Sequence, residues 1–155
     1  MNTEISVFKE SMRQMMLSNF KIFGFLTPIT FFLYKGKPII EMIPEQMLAT
    51  PKGKEALAQG IQQFCTQKDV SGAGIIMEAW GAELDGADQS KPYKPASQLP
   101  QRKDIIIMIF STPYSEELFA YVVDPKNKAI VSEFGQHEKA QMSGTFSQFF
   151  KWNRN

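Results

Sequence analysis

The run Ile105-Ile106-Ile107-Met108-Ile109-Phe110 contains no polar side chain. Successive side chains of a β-strand point to opposite faces of a sheet, so an uninterrupted apolar run predicts a strand buried on both sides. Residues 105–110 are therefore the expected centre of the fold. The rest of the chain has to supply strands to flank it and layers to cover it.

Flanking strands are legible on either side. IIMEAW, residues 75–80, starts as a buried strand. ELFAYVVD follows the turn residues Pro113 to Glu116, and KAIVSEF follows Asp124-Pro125-Lys126-Asn127. Connections this short predict antiparallel hairpins, and the segments together make a four-strand meander. Further upstream, ITFFLYKGKPIIEMIP reads as a hairpin over residues 29–43. It turns at Lys35-Gly36, where glycine takes the positive φ that a tight turn demands. Pro38 has no ladder donor, which puts the second strand at an edge or lets it pair only beyond that residue.

Two long helices are expected. Ile5, Phe8, Met12, Met15 and Met16 recur in steps of three and four behind a Thr3 cap, and Gly24 and Pro28 end the pattern, so the helix stops near Phe20 to Phe23. Thr50-Pro51 starts the second: a hydroxyl caps open N–H groups, and proline at the first helical position loses no needed donor. It runs to about Gln67 with Leu57, Ile61, Phe64 and Cys65 on its apolar face. TFSQFFKWNRN adds a short C-terminal helix carrying Phe146, Phe149 and Phe150 behind Thr145. The expectation is one α+β domain over residues 1–155. It has a mainly antiparallel sheet of about five to six strands, both long helices on one face, and a long loop at 81–101.

Charge and cysteine usage narrow the function classes. The 17 basic and 16 acidic side chains nearly cancel, so no overall positive field favours nucleic acid or an anionic membrane. The single Cys65 precludes an intramolecular disulfide and agrees with a reducing, cytoplasmic setting. MNTEISVFKE lacks a secretory leader, and the apolar stretch Phe20 to Tyr34 is broken by Lys21, Gly24 and Pro28. No export or membrane attachment is expected.

The working surface is expected around Glu78. A carboxylate taken from water needs a partner, and Arg102 starts the strand on the far side of the 81–101 loop. If those strands are antiparallel neighbours, Glu78 and Trp80 share a face and Arg102 is within diagonal reach of both. The loop itself turns from acidic (Glu83, Asp85, Asp88) to basic (Lys91, Lys94), and such long irregular segments tend to be functional. Trp80, Tyr93, Lys94 and Arg102 are the candidate binding residues.

The segment Glu78-Ala79-Trp80, a polar loop, then Pro100, Arg102 and Asp104 before an apolar strand resembles a pattern in small uncharacterised bacterial and phage-borne proteins. The likeness covers about thirty residues and implies no activity. Where such relatives would carry His-Pro, this chain has Leu99-Pro100, which removes histidine assistance there. The order of elements also resembles profilin-like and roadblock-like domains, a matter of layout that implies no function.

Three functional expectations remain. The first is a non-enzymatic binding or scaffold domain that self-associates, as a homodimer, and meets a protein or small-molecule partner through the 81–101 loop; the Met stripe and the Phe-rich tail are core or contact surface. The second is a small hydrolase-like enzyme with Glu78 as general acid or base and Arg102 as anion stabiliser, or with Glu41 and Glu78 as a carboxylate pair. The third is single-stranded nucleic-acid binding by Lys91, Tyr93, Lys94, Arg102 and Lys103 with Lys151, Trp152 and Arg154. One histidine, His137, and one cysteine leave zinc without its usual ligands, and Glu83, Asp85 and Asp88 lack the alternation of a calcium loop. Gly72-Ala73-Gly74 precedes a strand, so it reads as flexibility where the strand begins and not as a dinucleotide fingerprint. No cofactor or metal is expected.

Overall fold

The computed structural model describes residues 3–81, 103–133 and 149–150. In chain order these form α1 (Thr3–Phe23), β1 (Ile29–Tyr34), β2 (Lys37–Met42), α2 (Glu45–Ala49), α3 (Pro51–Cys65), β3 (Val70–Gly81), β4 (Lys103–Ser111), β5 (Glu116–Asp124) and β6 (Ala129–Glu133). The six strands make one sheet in the order β2-β1-β3-β4-β5-β6, antiparallel at every junction. The class is α+β. β3 and β4 are innermost, and the apolar run in β4 is buried along almost its whole length.

That double-sided burial is met by a helix on each face, which corrects the expectation of both long helices on one side. Phe8, Met12, Met16 and Phe20 of α1 cluster with Phe31, Ile76, Ile106, Met108 and Phe110. Ala58, Ile61 and Cys65 of α3 cluster instead with Phe32, Ala73, Ile75 and Ile109, the residues of opposite parity. Helical periodicity defines an apolar stripe but not which side of a sheet receives it. A strand apolar at consecutive positions requires cover above and below, and α1 and α3 supply it.

Each boundary has a local cause. Gly24, at φ +77°, terminates α1 and donates its N–H to the Phe20 carbonyl at 2.7 Å. Lys35 and Gly36 both have positive φ, the two-residue turn whose twist matches a hairpin. Thr50 Oγ1 accepts the Gly53 N–H at 3.0 Å at the start of α3. The five-residue α2 is too short to leave a periodic trace and was not expected.

Gly72 and Gly74 lie inside β3, not at a flexible start. A side chain at Gly74 would overlap the Phe31 ring, and one at Gly72 would come within 3.1 Å of Phe110. The glycines leave room for Phe31 and Phe110, whose rings stack across Gly74 with centroids 6.1 Å apart, while Phe8 of α1 meets both edge-on. The expected C-terminal helix lies outside the described residues, except that Phe149 and Phe150 form a turn fully buried in the α3-side core.

Candidate functional site

α1 runs over the sheet with two different flanks. Towards β5, Lys9 Nζ meets Glu117 Oε1 at 2.7 Å, and Arg13 Nη1 donates to Tyr121 Oη at 2.7 Å. The rest of the Arg13 fork holds Glu10, with Nε to Oε2 at 3.0 Å and Nη2 to Oε1 at 2.6 Å, and Gln14 donates to the same carboxylate. Donation from Arg13 and then Gln14 holds the Glu10 carboxyl down at about 2, and Glu10 in turn raises the Arg13 pKa.

Towards β2 the same helix leaves a groove of about 270 Å³. Met15, Asn19 and Phe23 form one wall and the Phe25 to Thr27 connection another. Met42, Ile29 and Ile76, neighbours across three strands, lie along its floor. Phe23, Phe25, Ile40 and Met42 are 56, 57, 48 and 75% exposed. Asn19 and Thr27 are the polar side chains among the described lining residues, and none of that lining is ionisable. The groove falls just below the roughly 300–1,000 Å³ of ordinary small-ligand pockets, and open apolar patches of this kind mark contact surfaces.

Glu78 is tied to this groove. Its Oε1 accepts the Leu26 N–H at 2.9 Å, fixing the connection that follows α1 to the end of β3. A charged acceptor on a backbone donor is a strong form of hydrogen bond and gives the carboxylate a structural role that the sequence did not announce, the partners being 52 residues apart. Trp80 points to the same face of the sheet, half exposed, opposite Asp104, and Gly81 stands opposite Lys103. β3 and β4 are thus antiparallel neighbours framing the long connection. Arg102, Tyr93 and Lys94 lie outside the described residues, as do Glu83, Asp85, Asp88, Lys91, His137, Lys151, Trp152 and Arg154.

Other candidates are resolved by position. Glu41 pairs with Thr30 on the α3 face, whereas Glu78 lies on the α1 face, so the sheet separates the two carboxylates and they form no catalytic pair. Cys65 is fully buried, and burial pushes its thiol up to about 12, the opposite of an activated nucleophile. Among the described residues no cluster of His, Cys, Asp or Glu is arranged to hold a metal ion, and no helix is long and apolar enough to cross a membrane.

Periodicity gave no sign of the groove: Phe23, three residues beyond Phe20, continues the stripe of Phe8, Met12, Met16 and Phe20, yet it is left exposed. No family model, curated protein or solved structure matches the chain.

Proposed function

We propose that the chain is a non-enzymatic binding or scaffold domain that self-associates in the cytoplasm as a homodimer, with the α1–β2 groove as its principal contact surface. We assign the 81–101 loop, with Trp80 and Arg102, as a second partner-facing region. The observation that carries this reading is the groove: exposed Phe23, Phe25, Ile40 and Met42 surround a lining without an acid, a base or a thiol among the described residues. An enzyme site needs such groups converging in a cleft. Glu78, the sequence's candidate acid, supports the groove wall through Leu26 instead.

Sedimentation of the intact chain between about 1 and 100 μM, a range that spans ordinary reversible association, tests the proposal. Association is expected to weaken in a Phe23→Ser/Phe25→Ser variant while its unfolding midpoint stays near that of the parent, because surface substitutions usually stay within about 0.5 kcal/mol. A parent chain that sediments as a monomer throughout removes self-association. A chain lacking residues 85–96 measures the share of the loop, and undiminished association in it assigns recognition to the groove alone.

A further inference from the structure

We infer that the second copy of this chain docks along the outer edge of β2, the two β2 strands pairing antiparallel about Ile40 so that two six-stranded sheets become one. This rests on the self-association proposed above and names the surface and register that would produce it.

The phase of the β1–β2 ladder decides which groups are on offer. Ile43 donates its N–H to the Pro28 carbonyl at 2.9 Å, so odd-numbered residues of this segment turn their backbone groups towards β1. Pro38, Ile40 and Met42 therefore turn theirs outwards, at an edge with no further strand among the described residues. Pro38 can only accept there, and Ile40 and Met42 can both donate and accept.

Self-pairing about Ile40 satisfies all of these but the Met42 carbonyl, which faces the partner's Pro38 and finds no donor there. Ile40 and the partner's Ile40 exchange a pair of hydrogen bonds, and each Met42 N–H finds the carbonyl of the partner's Pro38. Sliding by two residues one way sets Glu41 against the partner's Glu41. Sliding the other way leaves Ile40 with only the acceptor of the partner's Pro38 and carries Met42 past the end of the strand.

The backbone bonds choose this register, and the side chains are compatible with it. Lys37 and Glu41 lie on one face at opposite ends of the strand, so antiparallel pairing brings Lys37 diagonally beside the partner's Glu41, twice by symmetry. On the other face Ile40 meets the partner's Ile40, and Met42 meets the partner's Pro38. The exposed apolar side chains of β2 are thereby covered, and both grooves open onto the seam. Proteins normally blunt such an edge with lysine and proline. Here Pro38 sits where its acceptor is still used, and Lys37 has a charge to meet.

The test uses the full chain in sedimentation equilibrium. Lys37→Glu and Glu41→Lys, each alone, are expected to weaken the homodimer about tenfold. Mixed in equal amounts, the two variants are expected to form more heterodimer than the statistical half, because every diagonal is again attractive. Ile40→Pro removes only an outward donor and is expected to abolish the dimer with the circular dichroism spectrum retained. Should Ile40→Pro unfold the chain, the charge-reversed mixture carries the decision, and a statistical mixture rejects the seam. A dimer indifferent to all three changes overturns the β2 seam and leaves self-association intact. A parent chain monomeric at about 100 μM, the top of the range above, overturns both.

Discussion

The flank of α1 that faces β5 and the flank that faces β2 belong to one helix and rest on one apolar sheet face, yet they are finished in different ways. On the first, Lys9 and Arg13 reach Glu117 and Tyr121, and the polar groups at the margin of the core are paired within the chain. On the second, Phe23, Phe25, Ile40 and Met42 surround an open groove. Marginal ion pairs add little to stability, about 0–1 kcal/mol each, but they close a surface against further contact. Apolar side chains left in water represent burial still to be gained, roughly 25 cal/mol for each Å² a partner covers. The comparison teaches that the β5 flank closes with polar pairs inside the chain, whereas the β2 flank leaves apolar side chains exposed.

The largest expected effect breaks both flanks together. Gly74→Ala intrudes on the Phe31 ring and the Ile109 carbonyl, and overpacking of this kind costs about 3 kcal/mol. Urea unfolding measures it, and a cost below about 1 kcal/mol would mean the Phe31–Phe110 packing beneath α1 is softer than its geometry indicates. Glu78→Ala acts on the open flank alone. Leaving the Leu26 N–H without its charged acceptor costs about 1–2 kcal/mol, and Glu78→Gln, which keeps an oxygen there, is expected to restore most of it. Tyr121→Phe acts on the closed flank alone, costing about 1 kcal/mol with no change in association. If association falls with it, the flanks are coupled.

The smallest effect is a pH dependence on the closed flank. The Glu10 carboxyl is held at about 2, below its ordinary 4.5. A depressed carboxyl contributes stability above its unfolded pKa, and that contribution is lost as pH falls from about 4.5 towards 2. Glu10→Gln is expected to flatten the acid limb of the unfolding midpoint slightly, since the group is exposed and screened by solvent.

Much of this fold is legible in the chain where the signal is local. The hairpin at Lys35-Gly36, the Thr50 cap, the end of α1 at Gly24 and the meander from β3 to β6 all follow from neighbours a few residues apart. What was misread depends on register across the sheet. Gly72 and Gly74 look flexible until Phe31 and Phe110 are known to lie beside them. The face assigned to α3 follows from the parity of Phe32 and Ile75 against that of Phe31 and Ile76, which no single element reveals. The apolar run in β4 did contain the correction, because a strand buried on both sides cannot have all its helices on one. Of the candidate site, Glu78 is exposed, and the partner expected for it, Arg102, lies outside the described residues. Its described partner comes from a connection distant in sequence.

Lys9 and Arg13 find Glu117 and Tyr121 across 108 residues of chain. At a synthesis rate of about 5–20 residues per second, some 5 to 20 s separate the appearance of α1 from that of the strand that anchors it. Through that interval the Phe8, Met12, Met16 and Phe20 stripe can meet β1, β3 and β4 as they appear, but not Tyr121 and Val123 of β5. The β5 flank of the helix is thus the last to close, and slowing translation lengthens the time before it does.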